Sequence, residues 1–273
     1  MKKILLTLAT VACLTSHAQI AQVNSVEPLL RGVESEMYYP ELSQDGTKLL
    51  FTSVNYKGLK MYDFNNDVTV KITDSERAGL DAKFSADGND VYFVSQTNLN
   101  GNKVLQSKMY NVALNKENEI LSSRKMGGTV SVRVQGSSLF IANNGVEKAY
   151  SPVEKSAGYL WASLSPDKTK VMFFAAGKGI IITDLNGNII SELGNYESPV
   201  WFGNSHVVAM NAKHNGYQNI ASQIIMMDVE GTQMQELTKP ESMTMNPTAS
   251  FEAGKIVYNT IDGRLYQMNI SLK

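Results

Sequence analysis

The chain is poor in the residues that build metal and redox centres. Its 273 residues include one cysteine and three histidines. The cysteine, Cys13, falls in an apolar stretch near the N-terminus, and the histidines stand apart at His17, His206 and His214. With no Cys-x-x-Cys and no His-x-x-x-His pair, a zinc site lacks its usual ligands. A single cysteine also excludes an intrachain disulfide framework. No block of like charge occurs. The 25 basic and 26 acidic residues are mixed along the chain and leave a formal net charge of −1, so the concentrated basic face that nucleic acid requires is missing. Neither a Gly-x-Ser-x-Gly elbow nor a glycine-rich phosphate loop is present, which removes the common serine-hydrolase and nucleotide motifs. Beyond residue 18 no ten-residue stretch has a 3.6-residue apolar period, and almost no helix is expected.

The N-terminus reads as a separate object. Lys2 and Lys3 precede the apolar run Ile4–Leu14, which is too short to span a bilayer, and Ser16-His17-Ala18 has the small-x-small form of a cleavage site. Residues 1–18 are therefore expected to be a secretory leader, with 19–273 as one domain. The alternative is a lipid anchor on Cys13, for which Thr10-Val11-Ala12-Cys13 is a poor lipobox.

The rest of the chain is punctuated by one phrase. It reads Ser43-Gln44-Asp45-Gly46-Thr47, then Ser85-Ala86-Asp87-Gly88-Asn89, then Ser165-Pro166-Asp167-Lys168-Thr169, each followed by an apolar run. Asp can hydrogen-bond its own backbone and Gly supplies a positive φ, so the phrase predicts a tight turn between two strands. Between the copies lie further strand-like segments. Hairpin signals stand at Asn65-Asn66, Asn186-Gly187 and Glu230-Gly231. Four antiparallel strands per unit describe a propeller blade, and internal repetition at this scale points to a closed array. The third unit offers only three plausible strands, Val130–Val134, Ser138–Ala142 and Val146–Tyr150. The sixth stops at Lys273 without a fourth. An orphan strand-like segment near Gln22–Val33 is expected to complete that last blade, closing the ring and removing two sheet edges. The expected fold is a single all-β, six-bladed propeller.

The Ser-x-Asp-Gly phrase resembles the TolB-like propeller repeat, whose usual form is close to W-S-P-D-G-x-x-I-A-F followed by I-Y-V-x-D-x-x-G. The best matches are Leu164-Ser165-Pro166-Asp167 and Thr183-Asp184-Leu185-Asn186-Gly187, and the resemblance covers about residues 38–270. It implies a secreted propeller acting as a binding scaffold in the cell envelope. TolB itself carries an α/β domain ahead of its propeller, and the stretch from 19 to 38 is too short to hold one.

Candidate sites follow from the ring. Tyr39, Glu41, Asp81, Trp161, Trp201 and Asn246 all lie near the first strand of a blade, and a ring would gather them round one mouth of the channel. They are the expected binding residues for an envelope protein, peptide or glycan, held by a monomer with no cofactor, no metal and no transmembrane helix. A propeller-type lyase or hydrolase is the alternative, with Glu41, Asp81, Lys83 and Arg133 as its sparse candidates. Asp63-x-Asn65-x-Asp67 opens like a calcium loop, but Val68 stands where such a loop needs glycine.

Overall fold

The computed structural model describes residues 19–31, 36–119, 130–153 and 158–273. The leader expected at 1–18, with Cys13, lies outside the described residues.

Among the described residues the first strand is β1 (Ala21–Pro28), and the blades follow in order. Blade one contains β2 (Tyr38–Leu42), β3 (Lys48–Thr52), β4 (Leu59–Asp63) and β5 (Val68–Thr73). Blade two contains β6 (Lys83–Phe84), β7 (Asp90–Leu99), β8 (Asn102–Asn111) and β9 (Lys116–Glu119). Blade three contains β10 (Val130–Gln135), β11 (Ser138–Asn143) and β12 (Val146–Tyr150). Blade four contains β13 (Tyr159–Leu164), β14 (Lys170–Ala175), β15 (Gly179–Asp184) and β16 (Ile189–Gly194). Blade five contains β17 (Glu197–Phe202), β18 (His206–His214), β19 (Asn219–Asp228) and β20 (Met234–Glu236). Blade six contains β21 (Thr244–Ser250), β22 (Lys255–Thr260) and β23 (Leu265–Leu272). Each blade is an antiparallel meander, and β1 pairs with β23 as the outer strand of blade six. The first and last of the described strands thus share one sheet, and closure by an N-terminal strand is as the sequence implied. Helical structure among the described residues is confined to two short 3-10 turns, Val54–Tyr56 and Pro240–Ser242.

Blade three departs from the four-stranded form. After β12 the chain returns toward β13 without a paired strand among the described residues. Pro152 lacks the N–H that a ladder needs, and Val153 turns inward to join the core. The Tyr150 hydroxyl reaches Thr183 and donates to the carbonyl of Asp184 at 2.6 Å, tying the blade to its neighbour.

The Ser-x-Asp-Gly phrase is the turn between the first and second strands. Ser43 Oγ donates to Asp45 at 2.6 Å, Asp45 accepts the Thr47 N–H at 3.0 Å, and the Lys48 N–H donates to Ser43 Oγ at 2.9 Å. Ser85 and Ser165 repeat the first bond at 2.6 Å each. Satisfying three polar groups locally lets the turn sit at the foot of a buried strand pair. These bonds hold the carboxyl groups of Asp45, Asp87 and Asp167 below the usual carboxylate range, against the opposing effect of burial at Asp45 and Asp167.

The core lies between blades. Leu50 and Met61 of blade one pack on Val91 and Phe93 of blade two. Leu139 and Ile141 meet Val171 and Phe173, and Met172 and Ile182 meet Val207 and Ile225. Val208 and Met226 meet Ile256 and Met268, and Val257 and Leu265 meet Leu49 and Phe51. Only the junction of blades two and three lacks such a cluster among the described residues.

Two hairpins outgrow the ring. β7–β8 and β18–β19 run four or so residues past the height of their neighbours, roughly 13 Å at about 3.3 Å per residue. They belong to blades two and five, which are opposite one another in a ring of six.

Candidate functional site: a ring of bulges at one channel mouth

The first strand of each blade is its inner edge, as the contacts of β2 with β21, β10 with β13 and β17 with β21 show. These strands share one irregularity. In β2 the register slips between Tyr38, opposite Thr52, and Glu41, opposite Leu50. The same one-residue excess occurs between Leu160 and Ser163, between Glu197 and Val200, and between Met245 and Thr248. Each is a β-bulge, which re-aims a side chain and ends regular pairing. At the bulge one residue turns left-handed: Tyr39 (φ 52°), Trp161 (φ 51°), Ser198 (φ 48°) and Asn246 (φ 50°). Asp81 (φ 59°) takes the corresponding place before β6. Among the described residues blade three has no bulge, because β10 pairs with β11 without a slip. Left-handed residues with large side chains persist only where their surroundings fix them.

Four of the six residues singled out from sequence, Tyr39, Asp81, Trp161 and Asn246, thus occupy equivalent bulge positions at the entry side of the ring. Glu41 follows two residues after its bulge, with Lys83 in the equivalent place one blade on. Trp201 sits elsewhere. It pairs with Val207 beside the turn that ends β17, at the opposite end of the strand, and packs half-buried against the core between blades four and five. Its Nε1–H is buried without a partner among the described residues. The residue that fills the bulge of blade five is Ser198.

Around the mouth the side chains are partly ordered. Tyr39, 37 % exposed, stacks on Tyr56 at 4.2 Å between ring centroids. Burial, a hydrogen bond with Tyr39 and the nearby charges of Tyr39 and Asp81 push the Tyr56 hydroxyl well above its ordinary pKa. The Tyr39 N–H donates to Asn259 Oδ1 at 3.3 Å, and Asn246 Nδ2 donates to the same oxygen at 3.1 Å, which ties the bulges of blades one and six together. Trp161, 40 % exposed, meets Phe174 edge-on at 5.4 Å. Glu41 is desolvated in the strand wall, which raises its pKa, and the Lys83 ammonium opposes that only in part. Beside Ser198, Glu197 accepts a 2.7 Å hydrogen bond from His214 Nε2.

The remaining candidates are engaged in local contacts. Arg133 makes a two-pronged pair with Glu147, at 2.8 and 2.7 Å, and lies over the Phe140 ring at 4.5 Å. Asp63 accepts the N–H groups of Asn65 and Asn66, as a hairpin cap does. Among the described residues no group of His, Cys, Asp and Glu is arranged to hold a metal, and no helix is long and apolar enough to cross a membrane. On the far side of the ring Gln44, Asp45, Asp87 and Glu252 border a shallow cleft of about 190 Å³.

No family model matches the sequence, and no curated protein matches it either. Solved structures do. TolB from Acinetobacter baumannii superposes with a TM-score of 0.51 at 18% identity, covering 76% of this chain and 56% of that one. The chain therefore spans little more than half of that protein. A putative TolB from Agrobacterium tumefaciens gives a TM-score of 0.54 at 15% identity, covering 88% and 91%. A chain of the mitotic checkpoint complex gives 0.62 at 8% identity, covering 98% of both. Likeness at these identities speaks for fold alone. Together with the blade count, it makes this chain a six-bladed β-propeller, a fold it shares with the TolB structures.

Proposed function

We propose that this propeller is an exported, non-enzymatic binding scaffold of the cell envelope, recognising a peptide segment or loop of another envelope protein at the bulged mouth. One observation carries the reading. Five blades place a left-handed residue at the same point of the inner strand, and the side chains so presented are Tyr39, Asp81, Trp161, Ser198 and Asn246. A scaffold needs only turns at such positions. Strained aromatic and polar residues converging on one opening fit a recognition surface, where exposed Tyr and Trp serve as anchors. The TolB-like fold supports a binding role, and the leader-like N-terminus supports export.

The lyase or hydrolase alternative rests on Glu41, whose desolvated carboxyl faces the Lys83 charge. A photo-crosslinking residue placed at Trp161, with a second at Asn186 on the opposite face, tests the scaffold reading in intact cells. Discrete adducts are expected from position 161 and not from 186. Adducts from 186 alone would refute it, and turnover abolished by Glu41→Gln would favour the alternative.

A further inference from the structure

The two long hairpins carry the same chemistry at their tips. One reads Leu99-Asn100-Gly101-Asn102-Lys103 and the other Lys213-His214-Asn215-Gly216-Tyr217. Each has an Asn-Gly turn, one large apolar residue and one lysine, in mirrored order. Asn100 (φ 51°) and Gly101 (φ 80°) form the two-residue turn that suits a twisted ribbon. The apolar residues are turned out: Leu99 is 64% exposed and Tyr217 98%. No carboxylate occurs in either tip, and neither Lys103 nor Lys213 pairs with one among the described residues. Glu197 does meet His214 at 2.7 Å, at the base of the second arm.

The tips differ from the rest of that face. The shorter turns between second and third strands also present apolar residues, Val54, Val146 and Ile261, but their surroundings are of mixed charge: Glu147 and Lys148 follow Val146, Asp262 follows Ile261, and Lys57 beside Val54 pairs with Glu76 at 3.1 Å. A protein partner wants a contiguous apolar patch of several hundred Å² with a polar rim. Here the apolar groups are isolated points round a channel opening. The two arm tips, each an exposed apolar residue with a lysine and no carboxylate, suit a planar, deformable, negatively charged surface, where each buried side chain and each cation adds independently.

We propose that the arms of blades two and five dock this face on an anionic lipid surface, with Leu99 and Tyr217 entering the headgroup region and Lys103 and Lys213 meeting lipid phosphates. The arms would hold the bulged mouth roughly 13 Å from the headgroups. This site is distinct from the mouth, and its test does not depend on any partner bound there.

The probe is sedimentation with vesicles of phosphatidylcholine containing about one-third phosphatidylglycerol, against pure phosphatidylcholine, at low and physiological salt. The wild-type chain should partition onto the anionic vesicles and be released by salt. Lys103→Glu with Lys213→Glu, and separately Leu99→Ser with Tyr217→Ser, should each weaken partitioning by about tenfold or more. Leu114→Ser, on the opposite face, should leave it unchanged. Tyr217→Trp keeps the arm intact and should show blue-shifted emission, relative to the wild-type background, on anionic vesicles alone. Failure of the wild type to bind would overturn the proposal and point to a protein partner for the arms. Undiminished binding by the paired variants, or no shift from Tyr217→Trp on vesicles that bind the protein, would overturn it as well.

Discussion

Gly46, Gly88 and Lys168 hold one position in three copies of the same turn, and that makes a mutational series. Their φ values are 67°, 69° and 60°, and each N–H donates back to the carbonyl of the turn's serine, at 2.9, 2.9 and 2.8 Å. An L-residue in this region costs roughly 1–2 kcal/mol. At Gly88 an added Cβ meets nothing nearer than Ser43 Cβ at 4.0 Å, so Gly88→Ala should cost about 1 kcal/mol from φ alone. At Gly46 the same Cβ would lie 2.5 Å from Ala253 Cβ and 3.0 Å from Ser250 Oγ, both in blade six. Those atoms cannot retreat freely. Ser250 Oγ donates to the Gln44 carbonyl at 2.7 Å, and Lys255 Nζ donates to the Gly46 carbonyl at 2.9 Å. Relief must come from parting the first and last blades, and overpacking of that kind adds about 1–3 kcal/mol. Gly46→Ala should therefore lose roughly 2–4 kcal/mol in all. Lys168→Gly relieves the φ strain at some entropic cost and should gain about 0.5 kcal/mol. Urea titration of the three variants beside the wild type measures the differences, and each kcal/mol should also move Tm by about 2–4 °C in a chain of this size. Equal losses at 46 and 88 would refute the claim that the ring is locked where blade one meets blade six. A destabilised Lys168→Gly would refute the φ argument itself.

Removing residues 19–28 strips β1 from β23 and takes Ile20 and Ala21 out of the blade-six core; the expected loss is about 3 kcal/mol or more, seen as aggregation or a Tm lower by roughly 6–12 °C, and an unchanged melting curve would mean closure lies elsewhere. Glu41 has a raised folded pKa, so stability tied to it is whole below the ordinary glutamate value of about 4.3 and is lost as pH climbs through the raised value. Glu41→Gln should accordingly gain on the wild type between acid and neutral pH, and a pH-independent difference would show that the carboxyl is not desolvated. Intact mass of the native protein should correspond to a chain beginning at Gln19, whereas a diacylated species beginning at Cys13 would replace the cleaved leader with an anchor.

How much of this could be read from residue order depends on whether a buried face enforced the pattern. Within the ring the second strands are covered on both faces by neighbouring blades, so unbroken apolar runs stand at Leu49–Phe51, Val171–Phe173 and Ile256–Tyr258, burial alternates along Val91–Ser95, and the blades are plain in the sequence. The arms rise above that core. Gln96, Thr97 and Asn98, like Lys213 and His214, face no partner that would demand an apolar residue, so alternation stops while the backbone ladder continues to Leu99 and His214. Only the Asn-Gly pairs at 100 and 215 marked the tips. Blade two's last strand, Lys-Glu-Asn-Glu at 116–119, is polar throughout because it is an outer strand with one exposed side.

The bulge ring obeys a count that starts from the turn. Tyr39, Asp81, Trp161 and Asn246 each stand four residues before a serine, namely Ser43, Ser85, Ser165 and Ser250, and each serine sits at the foot of the inner strand. The serine's hydrogen bonds set where the next strand begins, as the Lys48, Asp90 and Lys170 N–H groups show by donating to it. That fixes the register, and the register fixes which residue is left over at the bulge. Blade five breaks the phrase, with Phe202-Gly203-Asn204-Ser205 at its turn, so aromatic character drew attention to Trp201 instead. Counting four residues back from Phe202 gives Ser198, the residue with φ 48°. The turn motif thus does more than join two strands. It places each bulge residue at a common height, and that common height is why residues scattered over two hundred positions of sequence meet at one mouth.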